Sequence, residues 1–464
     1  MSRDEAMRAF LAGSGFESAR IEPLAQDASF RRYWRLTGAL GGAVLMDAPA
    51  PEDVRPFLRI AAHLEAIGLS VPRVFKADAE AGFVLEEDLG DALLSVVLDG
   101  VVGSGLGDVA PDHGTTLNLG GIGSDRGTML SLGSRGSDRG TTPPPPLRGR
   151  AGVGGDRGTD GGGATPPPVP LPQGEGGRGG VAGAATPIVG VAAIHSPQVT
   201  TVLPTNSTAV LPNTNPATVL HAAIDALIPL QRAAPPLGLP AWNAQPMAET
   251  ALGTLFDWWW PAAFGTAPPD AARTEVGAAL ATILAPLRDG PRCFVHRDFF
   301  AGNLLWLPDR AAAGTTGVRD TGTTGARAAG TTSPRAVGII DFQGAAIGHP
   351  AYDLASLLQD ARRDIPPALA AEVLARYLTL RPELDPVAFR AAYAACAAQR
   401  HLRVACQWVR LALRDNRPQY LAFGPRTWRL LAQALEDPAV APLALALDRW
   451  IPAAQRGNPP GLAA

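Results

Sequence analysis

The chain has 464 residues, 40 basic and 43 acidic side chains, a formal charge of −3 and 46% hydrophobic residues. That balance excludes a protein that meets nucleic acid or a membrane surface through bulk positive charge, and no run of about 18 apolar residues exists to span a bilayer. Cys293, Cys396 and Cys406 suit neither a disulfide framework nor a zinc site, and Met1–Gly15 is charged with no apolar signal core, so a soluble, cytoplasmic protein is expected.

Residues 4–20 read as a helix with Ala6, Phe10 and Leu11 on one face. Residues 30–36 alternate as a half-buried strand does, and residues 43–46 follow the Gly41-Gly42 turn to make a hairpin. Residues 54–67 have helical spacing, with Phe57, Ile60, Ala61 and Leu64 facing a core. Residues 71–75 and 82–86 read as two further short strands. Antiparallel strands with one inserted helix make a small α+β lobe over 1–95.

Two tracts differ in composition: 101–218 and 311–335 are rich in Gly, Pro, Thr, Ser and Arg and have no sustained periodicity. Such segments bury too little apolar surface to offset chain entropy, so both read as disordered insertions. Without them about 320 residues remain, enough for two lobes. The predicted organisation is therefore a lobe over 1–95, an insertion over 96–218, and a helical lobe over 219–455 that carries a second insertion at 310–335. In the helical lobe, residues 217–230, 252–260 and 270–289 read as helices. Trp258-Trp259-Trp260 reads as a packed helix end, 292–295 as a buried strand, and 351–451 as successive helices.

The chemistry lies in two runs. His296-Arg297-Asp298 with Asn303 five positions on has the H-R-D-x-x-x-x-N arrangement, and Asp341-Phe342-Gln343 ends a second apolar strand. Phosphoryl transfer accounts for both spacings. One carboxylate must orient the acceptor hydroxyl and take its proton. An amide oxygen five residues on and a second carboxylate on a neighbouring strand can hold a metal ion. Asp298 is thus the candidate base, and Asn303 and Asp341 are the candidate magnesium ligands. The two aspartates are 43 positions apart, of which 25 belong to the second tract, so the strands that carry them are expected to be neighbours.

With these runs the chain resembles the aminoglycoside phosphotransferase and choline kinase-type small-molecule kinases, which share the protein-kinase fold. Within that family it is most similar to the N-acetylmuramate/N-acetylglucosamine kinases of bacterial cell-wall recycling. Residues 27–33, 45–49, 82–91, 296–308 and 341–362 carry that closer likeness. The resemblance implies a bilobal α+β enzyme that uses ATP and Mg2+ to phosphorylate the anomeric (C1) hydroxyl of an amino sugar. It also implies that Ser29, Phe30, Arg31 and Arg32 lie over the nucleotide phosphates, and that Glu87 and Leu89 belong to the hinge whose backbone meets the adenine. Gln343, Asp360 and Arg362 are implied at the acceptor, where Arg362 suits the lactyl carboxylate of N-acetylmuramate. The expected partners are a small amino sugar and a nucleotide, with no nucleic acid, membrane or obligate protein partner. Alternatives are a kinase for another hydroxylated acceptor, such as an aminoglycoside, or a nucleotide-binding pseudokinase.

Two positions depart from the family pattern. Met46 stands where kinases of this kind carry a strand lysine, and Lys76, the only lysine, lies too far along to replace it. Gly344 follows Asp341-Phe342-Gln343, where an acidic residue is common. Asp353 is expected to cap a helix or brace the catalytic loop.

Overall fold

The computed structural model describes residues 2–24, 31–105, 214–313 and 333–462. Ser29, Phe30 and most of both expected insertions lie outside these residues. Helix α1 (Arg3–Leu11) begins on a capping box: the Ser2 hydroxyl accepts from the Glu5 N–H, and the Glu5 carboxylate accepts from the Ser2 N–H. It ends well short of the expected 4–20. Gly13 and Gly15 take φ of +70° and +83°, a left-handed turn that helix geometry forbids, and the chain then forms an unanticipated strand, β1 (Arg20–Pro23).

The hairpin forms as expected from β2 (Arg32–Gly38) and β3 (Gly41–Asp47), with Arg32 opposite Asp47 and Tyr33 opposite Met46. Helix α2 (Arg55–Ala66) buries Phe57, Ile60, Ala61 and Leu64, the face its spacing predicts. β4 (Val74–Asp78) and β5 (Phe83–Glu87) complete a five-stranded antiparallel sheet of order β1-β2-β3-β5-β4. β4 starts later than expected because Pro72 has no N–H to lend to the ladder. Strand parity divides this sheet into two environments. Leu36, Leu45, Phe83 and Leu85 pack with Phe10, Leu11 and Phe16 on one face, while Met46 and Val84 join the apolar side of α2 on the other.

Helix α3 (Leu94–Gly105) carries the described fold beyond the expected boundary at 95. The second lobe opens with α4 (Pro216–Arg232), β6 (Ala241–Trp242) and α5 (Ala244–Thr254). A π-helical turn, Leu255–Trp259, leads from α5 into α6 (Trp260–Phe264), followed by α7 (Asp270–Leu284) and α8 (Pro286–Asp289). The tryptophan triplet is a packing feature. Trp259 is fully buried, donates to the Gly457 carbonyl at 2.8 Å and lies 5.2 Å from the Trp428 ring.

Four short strands then carry the motif runs, with helix α9 (Pro308–Ala313) after the second of them. β7 (Cys293–Val295) precedes His296, and β8 (Leu304–Trp306) follows Asn303. β9 (Val337–Ile339) precedes Asp341, and β10 (Ala346–Gly348) follows it. β8 and β9 pair antiparallel and β10 lies between β6 and β7, so the strands that lead to the two aspartates, β7 and β9, are not the direct neighbours expected; β8, which follows Asn303, is the strand that pairs with β9. Helices α10 (Ala351–Leu358), α11 (Pro367–Leu380), α12 (Pro386–Arg414), α13 (Gly424–Ala434) and α14 (Ala441–Trp450) complete the lobe. A small antiparallel sheet with one helix between its third and fourth strands, followed by a mainly helical lobe, is the α+β, protein-kinase-like arrangement expected. Among the described residues no single helix is long and apolar enough to cross a membrane.

Candidate active site

Asp353, on α10 and wholly buried, holds the catalytic run in place. Its two carboxylate oxygens accept from the backbone N–H of His296 at 2.7 Å and of Arg297 at 2.9 Å. It is thus a brace of the loop, one of its two expected roles. Burial pushes its carboxyl up to about 6. His296 Nδ1 accepts from the Asp298 N–H at 3.3 Å, and Nε2 lies 2.9 Å from the Ile340 carbonyl, a pattern that assigns the proton to Nε2. Burial lowers the pKa of this ring. A neutral His296 therefore ties the Asp298 loop to the strand end that carries Asp341.

Three candidate residues meet there. Asn303 Nδ2 donates to the Asp298 carbonyl at 2.9 Å and lies 3.5 Å from Asp341 Oδ2. The other Asp341 oxygen accepts from Gln343 Nε2 at 2.5 Å. Arg297 and Asp341 take φ of +75° and +60°, left-handed values that are uncommon outside glycine. With Asn303 Nδ2 committed as a donor, its amide oxygen is the acceptor end. That oxygen and the Asp341 carboxylate are hard ligands, and magnesium characteristically takes one or two such groups together with substrate phosphates. The residues present fit that ion.

The Asp298 side chain is about half exposed, at 52%, into a cavity of about 180 Å3 that Asn303, Asp341, Arg362, Arg400 and Arg403 also line. Desolvation raises its carboxyl, but the guanidiniums of Arg400 and Arg403 outweigh this and hold it below the usual carboxylate range. Arg400 Nη1 lies 3.5 Å from Asp298 Oδ1. Asp298 is therefore ionised at neutral pH, as a group that orients a hydroxyl and accepts its proton must be.

The other predicted site residues separate. Arg362 faces the cavity with its guanidinium 4.3 Å from the Phe300 ring centroid and 5.4 Å from that of Trp408. Asp360 does not line the cavity; it is buried, caps the Arg362 N–H and pairs with Arg363 at 3.1 Å. Gln343 reaches Asp341 and is not a wall of the cavity either. Arg31 is buried beside Glu52, whereas Arg32, one residue on, pairs with Asp47 on the opposite face of the sheet, where Arg3 joins them. Glu87 pairs with Arg310, which ties the end of β5 to the second lobe. The side chain of Leu89, half-buried, lies against Gly338 of β9.

Three comparisons bear on this site. The phosphotransferase enzyme family model matches residues 20–113, 167–314 and 331–390, well over half of the chain. The chain belongs to this phosphotransferase family. An N-acetylmuramate/N-acetylglucosamine kinase of Caulobacter vibrioides is 28% identical over 489 aligned positions that cover 98% of both chains. One of the same name from Pseudomonas aeruginosa is 49% identical over 73 positions, 16% of this chain and 22% of that one. Among solved structures, a choline/ethanolamine kinase family protein from Mesorhizobium loti is 11% identical with a TM-score of 0.48, covering 97% of this chain and all of its own.

For this phosphotransferase the sequence reading missed the wall of the cavity contributed by α12. Arg400, Arg403, Gln407 and Trp408 line the cavity from one face of that helix, and Tyr420 follows it. The available signal was the run Gln399-Arg400-His401, three polar residues that follow the apolar stretch 394–398 and are buried with it.

Proposed function

We propose that this phosphotransferase transfers the γ-phosphoryl group of ATP, with Mg2+, to the anomeric (C1) hydroxyl of N-acetylmuramate and N-acetylglucosamine, in cytoplasmic recycling of cell-wall sugars. The observation that carries this reading is the cavity at Asp298, because it combines one ionised base with three guanidiniums. Such walls suit an acceptor that bears a carboxylate and repel a polycationic aminoglycoside. Arg362 has no ion-pair partner among the described residues, and Arg403 bonds only the neutral Gln407 and Tyr352 side chains. Both remain available to an anionic group such as the lactyl carboxylate of N-acetylmuramate. The names of the relatives support the same sugars.

In this reading Asp298 orients the sugar hydroxyl and takes its proton as the sugar O–P bond forms and the bond to the β-phosphate oxygen breaks, releasing ADP. Asn303 and Asp341 hold the magnesium ion, which when bound neutralises charge on the phosphates. Arg400 keeps Asp298 ionised, and Asp353 fixes the backbone that presents it. Catalysis is then mainly positioning and charge stabilisation.

The test is phosphate transfer from ATP and Mg2+ to N-acetylmuramate, N-acetylglucosamine and kanamycin, with the phosphorylated position read by phosphorus NMR. A 1-phosphate on the amino sugars is the expected product. Transfer to kanamycin alone would overturn the acceptor.

A further inference from the structure

Phosphoryl-transfer sites of this architecture set a strand lysine against the nucleotide phosphates and pair it with a helix glutamate. Neither member of that pair is present in its usual place. Met46 occupies the position on β3; its side chain is 1% exposed and sits among Phe57, Ile60 and Val84 in the apolar core beneath the sheet. The only lysine is engaged elsewhere: Lys76 Nζ donates to the carbonyls of Phe10 at 2.6 Å and Ala12 at 2.9 Å, capping the end of α1.

A cation nevertheless stands on the face of the sheet turned toward Asp341. Arg31, immediately before β2, is 6% exposed, and its Nε donates to Glu52 Oε2 at 3.0 Å. It lies two positions before Tyr33, a residue directly opposite Met46. Tyr33 and Met46 share the sheet face that packs on α2, and the Phe57 ring of α2 stacks on Phe342 at 4.9 Å, so Arg31 precedes the strand whose face meets the helix resting on the Asp341 turn. Burial pushes the Glu86 carboxyl up to about 8, so it is mainly neutral at pH 7, and the ion pair that Arg31 makes is with Glu52. The other arginines of this hairpin serve elsewhere. Arg32 pairs with Asp47 on the far face, and Arg35 pairs with Asp88 and Asp91 beyond β5. A buried ion pair stabilises no better than apolar side chains of the same volume, so stability alone gives no reason for one on this face.

We propose that Arg31, locked by Glu52 on the chain leading into α2, is the phosphate-binding cation of this enzyme and replaces the missing strand lysine. The inference rests on the reading of the chain as a nucleotide-using kinase. It predicts a specific energetic signature, because a cation that contacts phosphates distinguishes ADP from adenosine, whereas one that only supports the fold does not.

The experiment is calorimetric titration of the full chain with ADP and with adenosine, for the wild type, Arg31→Lys, Arg31→Met and the double variant Arg31→Met/Glu52→Gln. The double variant removes the carboxylate that Arg31→Met would strand. Arg31→Met should weaken ADP binding by about tenfold or more and leave adenosine binding nearly unchanged, while Arg31→Lys should retain part of the preference for ADP. An unchanged ratio of ADP to adenosine affinity in every variant that thermal unfolding shows to be folded would overturn the proposal and leave the kinase reading standing. A wild type that binds neither compound would overturn both.

Discussion

The rings of Phe57 and Phe342 stack with centroids 4.9 Å apart and planes 14° from parallel, so helix α2 of the small lobe rests on the residue that follows Asp341. Through this contact the sheet face carrying Met46 and the turn holding Asp341 share one core. Phe57→Ala should cost about 3 to 5 kcal/mol, the usual range for emptying a buried phenylalanine site. The more telling variant is Phe57→Leu, which keeps most of the volume. It should remain folded in urea titrations yet need more Mg2+ for half-maximal activity, because the turn that carries Asp341 loses its support. An unaltered Mg2+ requirement would separate the stacking from the metal site.

Asp298→Asn tests the base directly. Arg400 and Arg403 hold the carboxyl below its ordinary range, so the wild-type residue is ionised and the amide removes both charge and proton acceptor. Turnover should fall by about 100- to 10,000-fold with little change in the KM for either substrate. Half of the side chain faces the cavity, so the midpoint of thermal unfolding should move little. Near-normal turnover in a folded Asp298→Asn protein would remove Asp298 from the mechanism.

Much of this site was legible in the sequence because its chemistry is local. Asp298 and Asn303 lie five positions apart on one loop, and Asp341 ends a strand whose apolar run announces it. What stayed hidden depends on three-dimensional parity and on distant chain. Arg31 and Arg32 are adjacent letters, yet alternation sends one to Glu52 and the other to Asp47 on the far face. Arg400 and Arg403 follow Asp298 by about a hundred positions, and their spacing on α12 matches that of a solvated helical stripe. Asp360 and Arg362 looked equivalent on paper. The turn at the end of α10 directs the carboxylate into a buried pair with Arg363 and leaves the guanidinium of Arg362 against Phe300. Helix α1 was drawn too long because apolar spacing continues past Leu11, whereas Gly13 and Gly15 end it.

The buried histidines should work against stability on mild acidification. Burial lowers His349 to about 4 and His401 to about 3, both below the ordinary histidine value near 6.5. Between about pH 6.5 and 4 the unfolded chain therefore binds protons that the folded chain refuses, and the histidines' contribution to stability decreases as pH falls through that window. Glu86 and Asp353 act in the opposite sense, since their raised carboxyls take up protons in the folded state first, from about pH 8 and about pH 6 downward. His349 alone should contribute a loss of about 2 kcal/mol between pH 7 and pH 5, read as the difference in acid sensitivity between the wild type and a His349 variant. Urea unfolding at the two pH values measures it. His349→Asn, which retains an acceptor for the Ala351 N–H, should flatten the dependence. A variant as acid-sensitive as the wild type would show that His349 is not one of the groups responsible.

Arg362 offers the sharpest test of acceptor chemistry. Its guanidinium packs against Phe300 and Trp408, which fixes its plane while leaving its N–H groups without a carboxylate among the described residues. If it receives the lactyl carboxylate, Arg362→Ala should raise the KM for N-acetylmuramate by about tenfold or more, the worth of a charge-assisted hydrogen bond. N-acetylglucosamine has no such group, so its kinetics should change far less. Arg362→Lys should recover only part of the loss, because a point charge cannot reproduce a planar two-point contact. Equal losses on both sugars would assign Arg362 to shaping the cavity with its aromatic neighbours and leave Arg403, which also lines it, as the remaining cation for the carboxylate.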